Sequence, residues 1–112
     1  MRAPLAMLSL AALAAVALPA YAEVDDTAYV QAARCTGLAR VEKLGSPDAA
    51  AFKAFLDAER PGQTVTTIEQ GRIVARQAER DARSALGAKK VALEAELAGA
   101  CQAFKTQIAT SR

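Results

Sequence analysis

The 90 residues from Glu23 to Arg112 carry 20 alanines but only 19 large hydrophobic side chains: six Val, six Leu, three Ile, three Phe and Tyr29. Alanine contributes little area to a core. A domain of this size buries roughly 60 to 65% of the surface its unfolded chain exposes, so apolar burial alone leaves its stability marginal. Such a chain needs a covalent staple, and the sequence offers one candidate pair, Cys35 and Cys101. Two thiols allow a single intramolecular pairing. Closing a loop of 66 residues removes enough unfolded-state entropy to add about 4 kcal/mol. A redox couple would show closely spaced cysteines in electropositive surroundings, and this sequence shows neither.

Pairing requires an oxidising compartment, and the N-terminus reads as the address for one. Met1, Arg2, Ala3 and Pro4 precede an apolar run from Leu5 to Leu18, broken only by Ser9 and followed by Pro19, Ala20, Tyr21 and Ala22. A positive start, an apolar core and a small-x-small motif are the three parts of a signal peptide. The expectation is a cleaved segment 1–22, cut between Ala22 and Glu23, and a single disulfide-stapled domain 23–112. The run is shorter than the ~20 apolar residues that span a bilayer, so no stable membrane insertion is expected after processing. No cysteine follows it to accept a lipid. The expected location is periplasmic or secreted, in a bacterial envelope.

Charge and residue type exclude several functions. Lys plus Arg is 14 against 12 Asp plus Glu, a formal net charge of +2, which provides no large cationic surface for nucleic acid. With no histidine, the usual zinc sites, blue-copper sites and catalytic triads cannot be built. The carboxylates Asp25, Asp26, Asp48, Glu94 and Glu96 sit one or two apart or alone, a spacing that suits helix caps and surface charge rather than a paired acid and base. No glycine-rich phosphate loop follows a strand. The chain is therefore read as a non-enzyme, with no catalytic, cofactor-binding or metal-ligating residues.

Helix signals dominate the rest. Asp25 or Asp26 can cap a first helix running to about Leu44, with Gly45 as its left-handed stop. Val30, Ala33, Gly37, Val41 and Leu44 form one stripe and Ala28, Ala32, Cys35 and Ala39 another on the opposite side, so this helix is expected to be covered on two faces. Ser46-Pro47-Asp48 starts a second helix, from Pro47 to about Arg60, that stops at Pro61-Gly62 and fills the core with Ala49, Phe52, Phe55 and Leu56. Gln63 to Thr67 reads as a loop. Thr66 and Glu69 have capping-box spacing, and behind them Ile68, Gly71, Ala75, Ala78, Ala82 and Ala85 repeat at three and four. The final segment has Leu93, Leu97, Ala100, Cys101, Phe104 and Ile108 on one face, with a break expected near Gly87 to Lys89.

The predicted fold is all-α, a small up-down bundle of about four helices. The alternative, if Gly87 does not break the chain, is a helical hairpin packed on one long C-terminal helix. A height check favours the bundle: Cys35 lies nine residues past Asp26 and Cys101 nine before Thr110, which at 1.5 Å per residue puts each sulfur about 14 Å from the same end.

Two surfaces are candidates for function. The small-residue stripe lets a second helix approach closely, within the chain or across a homodimer through Gly71, Ala75, Ala78 and Ala82. Arg72, Arg76, Arg80 and Arg83 share one broad side, an anion or partner face unless neighbours such as Glu79 neutralise it. The expected role is a non-catalytic interaction module acting on an envelope protein or component. In size and class the chain is similar to the small periplasmic acid-stress chaperones, which are short, exported, helical and singly disulfide-bonded. That resemblance implies an acid- or stress-activated holdase as the alternative.

Overall fold

A computed structural model describes residues 25–44 and 49–110. The expected signal peptide with its Ala22–Glu23 cut, the Gly45 stop and the Ser46-Pro47-Asp48 helix start lie outside these residues. Among the described residues the chain is helical throughout, with four helical rods and no strand. It is the small all-α bundle read from the sequence, and among the described residues no helix is long and apolar enough to cross a membrane.

Helix α1 (Asp26–Ala39) begins where the Asp25 carboxylate accepts the Ala28 amide at 2.9 Å, satisfying one of the free donors of the first turn. It is the central rod. Tyr29, Ala32, Ala33, Cys35, Thr36, Gly37, Leu38 and Ala39 are all buried, so the helix is covered on more than one side, as its two stripes imply. Thr36 fits inside because its hydroxyl donates to the Ala32 carbonyl at 2.8 Å, leaving no orphaned donor.

α1 ends before the expected Leu44. The chain turns at Arg40 and continues as a 3-10 turn, Glu42–Leu44. That turn buries Val41 and Leu44 and brings the Lys43 ammonium onto the carbonyls of Arg83 and Ala85, at 2.7 and 3.0 Å. Tertiary burial and a charged cap on another helix thus outweigh continuation of α1.

Helix α2 (Ala49–Glu59) passes into a 3-10 turn, Arg60–Gly62. Its Phe52 and Phe55 are buried. Phe104 meets both, stacked on Phe52 at 6.5 Å between ring centroids and edge-on to Phe55 at 5.7 Å, within the range where aromatic pairs add to burial.

Helix α3 (Val65–Ser84) starts earlier than the capping-box spacing predicts. Thr64 is the cap, accepting the Thr67 amide at 3.1 Å, while Glu69 pairs with Arg72 instead. The earlier start makes Thr67 helical and buried, extending the small stripe by one step toward the N-terminus. The predicted loop is correspondingly shorter.

α3 stops at Ser84 and Ala85 is extended. Gly87, with φ of 54°, lies in the left-handed region where glycine is unstrained. This is the expected break. The fourth rod is α-helical over α4 (Gly87–Glu96), π-helical over Leu97–Cys101 and α-helical again over α5 (Gln102–Thr110), with right-handed dihedrals at both joints. A π turn inserts one residue into the helical register. Leu97 and Cys101 both face inward, as their i,i+4 spacing implies, and Ala100, expected in the core, is exposed.

Along α1 the partners on α3 rise in step: Tyr29 and Ala33 against Gly71, Gly37 against Ala75, Arg40 with Glu79. The two helices are parallel, as first and third rods of an up-down bundle must be. A β-carbon on Gly37 would lie 2.2 Å from the Ala75 carbonyl oxygen, so the backbones touch there. The fourth rod runs the other way. Glu96 meets Arg34 and Cys101 meets Cys35, whereas the earlier residues of α4 pack against the turn after α1. Cys35 and Cys101 stand in disulfide geometry, with Cα atoms 5.7 Å apart, inside the usual bridging range.

The small-residue stripe therefore packs within the chain. Gly71, Ala78 and Ala82 are buried and Ala75 lies against Gly37, all beneath α1. The homodimer proposed through these four residues is corrected, because the surface it would use is already covered.

Candidate functional site

The main candidate is a pocket of about 160 Å³ between α1, α2 and α3. It exists because small residues meet on its floor. Ala33 comes from α1 and Gly71 and Ala75 from α3, while Tyr29, Leu56 and Ile68 stand as walls. Four guanidinium-bearing residues, Arg40, Arg60, Arg72 and Arg76, line it, and no carboxylate does. Each arginine arrives by a separate local device. Arg40 is the exposed residue that ends α1, Arg60 opens the turn after α2, and Arg72 and Arg76 are one helical turn apart on α3.

The acidic partners of these arginines lie off the pocket. Arg60 pairs with Asp57 at 3.3 Å, Arg72 with Glu69 at 3.0 Å, and Arg40 with Glu79 at 3.7 Å. Arg83 also pairs with Glu79, so that carboxylate is shared. Its hydrogen bond from Arg83 holds Glu79 below the ordinary carboxylate range, against an opposing effect of burial, and Arg40 adds to the lowering. Asp57 is lowered likewise, chiefly by the hydrogen bond from Lys53. Arg76 makes no ion pair among the described residues. The field over the pocket is therefore positive and incompletely compensated.

The pocket wall also holds a polar group without a partner. Tyr29 is 3% exposed, and its phenol makes no hydrogen bond among the described residues. A buried hydroxyl left unpaired is costly, and such exceptions in native folds call for an explanation.

The sequence-predicted arginine face divides here. Arg72 and Arg76 enter the pocket. Arg80 and Arg83 do not line it, and Arg83 is held by Glu79 at i,i+4, the neutralising pair foreseen from spacing. Arg40 and Arg60, missing from the sequence-level site, complete it. Nothing in their local spacing marks them, since only the packing of α2 across α1 and α3 brings them together.

Three of the carboxylates weighed for catalysis have other partners. Asp25 caps α1, Glu94 accepts from Lys90 at 2.8 Å, and Glu96 takes both Nε and Nη2 of Arg34, at 2.5 and 2.9 Å. That two-point bond, opposed by burial, holds the Arg34 guanidinium above its ordinary value. Asp48 lies outside the described residues. Among the described residues no group of three or more metal-ligating side chains comes together.

Other concavities are present among the described residues. A groove of about 490 Å³ runs past Val30, Arg34, Val74 and Glu96, where the Arg34–Glu96 pair already compensates its own charge. A slot of about 250 Å³ between α2 and α5 is lined by Ala51, Ala54, Phe55, Lys105, Ile108 and Ala109. Among the described residues, the arginine-lined pocket combines incompletely compensated charge with the Tyr29 phenol.

No protein-family model matches the chain, and neither curated proteins nor solved structures provide a match.

Proposed function

We propose that the chain is a small, exported, non-catalytic binding module of the bacterial envelope that holds an anionic group in the pocket between α1, α2 and α3. The observation that supports this reading is the lining: four arginines, three of them paired with carboxylates that do not line the cavity and Arg76 with no ion pair among the described residues. Guanidinium groups are planar, always charged and well matched to carboxylate and phosphate oxygens. The buried cysteine pair supports a location in which thiols are oxidised.

The test is NMR titration of the oxidised protein with inorganic phosphate and with acetate, repeated at rising NaCl. Shift changes should centre on Ala33, Gly71 and Ala75, and affinity should fall with salt because the pocket is open to solvent. Arg76→Gln should weaken binding about tenfold, the scale of one charge-assisted hydrogen bond, while Arg80→Gln should leave it unchanged. Equal effects of the two substitutions, or no binding of either anion at low salt, would overturn the reading.

A further inference from the structure

The lining of the pocket specifies more than charge. A bare anion would use the guanidinium groups but leave the apolar floor and walls, Ala33, Leu56, Ile68 and Ala75, facing water. An apolar cavity of about 150 Å³ accommodates benzene, so a pocket of about 160 Å³ has room for roughly six non-hydrogen atoms. The phenol of Tyr29, 3% exposed and without a partner among the described residues, is a neutral donor in the same wall. A ligand that meets all three features has an acidic head and a short apolar body.

Building on the anion-binding reading above, we propose that the pocket takes a carboxylate bearing a short hydrocarbon part of about three carbons, which with the three carboxylate atoms fills the available volume. The carboxylate lies among Arg40, Arg60, Arg72 and Arg76 and accepts a hydrogen bond from the Tyr29 hydroxyl. The hydrocarbon part lies on Ala33, Leu56, Ile68 and Ala75. A carboxylate fits better than a phosphate because one phenol and a few shared guanidinium groups can satisfy its two oxygens without a full shell of donors.

This chemistry has two sources: a free short-chain acid, or the C-terminal carboxylate of a polypeptide ending in an apolar residue. The free acid is the reading argued here, since the small volume leaves little space for a peptide backbone beside the side chain.

The experiment is calorimetric titration of the oxidised full-length protein with acetate, butanoate, hexanoate, octanoate and N-acetyl-leucine, with inorganic phosphate as the reference anion. Affinity should rise about fourfold per added methylene from acetate to butanoate, the equivalent of about 0.8 kcal/mol each, and level off beyond butanoate when the cavity is full. Tyr29→Phe should fold with unchanged or higher urea midpoint, since it removes an unpaired buried hydroxyl. It should nevertheless bind hexanoate about tenfold more weakly, an effect that a merely structural tyrosine would not produce.

N-acetyl-leucine binding more tightly than hexanoate would overturn the free-acid assignment in favour of a polypeptide terminus. A flat series in which phosphate and acetate bind as well as hexanoate would overturn this inference and leave the anion reading standing. Absence of binding by every anion would overturn both.

Discussion

Gly37 and Gly99 are both helical glycines, and their surroundings give them opposite significance. A side chain at position 37 would push into the Ala75 carbonyl at 2.2 Å, whereas at position 99 nothing lies within 4 Å. Helix propensity favours alanine over glycine by about 1 kcal/mol at either site. At Gly37 the obstacle is backbone, which cannot swing aside, so overpacking dominates and Gly37→Ala should cost about 1–3 kcal/mol net. Gly99→Ala should instead stabilise by about 0.5–1 kcal/mol. Urea unfolding of the two variants at one pH decides the matter; a stabilised Gly37→Ala would mean that α1 and α3 are not in backbone contact.

For helical elements the decisive features are starts and registers. Thr64 and Thr66 both have the chemistry of an N-cap, and spacing to Glu69 favours Thr66. The structure uses Thr64, because starting there places Thr67, Gly71, Ala78 and Ala82 on the buried side of one continuous helix. Thr64→Ala should therefore lose about 1 kcal/mol, and Thr66→Ala, at an exposed position, should stay within about 0.5 kcal/mol of the parent. Thermal melts of the pair measure the difference, and a reversed order would restore the capping box. The fourth rod shows the same priority of burial over local regularity. Its π turn spans Leu97–Cys101, and both end residues are buried although the local hydrogen-bond pattern departs from the α-helix.

For the molecule as a whole, the cysteine pair compensates for what the alanine-rich core lacks. Cys35 and Cys101 are 1% and 0% exposed and join the central helix to the last one. Removing the bond by Cys35→Ala with Cys101→Ala should lower stability by about 4 kcal/mol, a large share of the 5–15 kcal/mol typical of a folded domain. Intact protein should show no labelled thiol by mass spectrometry in the absence of reductant. With reductant, labelling should follow the rate at which the bundle opens, because neither sulfur is accessible in the closed form. Rapid labelling under native conditions would remove the staple from this account. The same fold carries the pocket, since α1 supplies its floor residue Ala33 and its wall residue Tyr29 within two turns of Cys35. Loss of the bond should accordingly weaken the proposed anion binding along with stability.

The sequence by itself determined the helical class, the phenylalanine face of the second helix and the single possible pairing of Cys35 with Cys101, and it favoured four rods with a break near Gly87 over one long final helix. Each of these follows from local periodicity, turn chemistry or a two-member count. Two of the four pocket-lining arginines were legible as well, in the i,i+4 spacing of Arg72 and Arg76. The tertiary structure decided what depends on neighbours distant in the chain: that the small-residue stripe is covered by α1, that α1 stops at Ala39 so that Val41 and Leu44 can turn inward, that Ala100 stays outside the core, and that Arg40 and Arg60 join the other two arginines. A helical pattern shows which face is apolar but not which partner covers it. That choice is made by packing, where a glycine's missing side chain or one extra residue in a turn fixes the distance and register between rods.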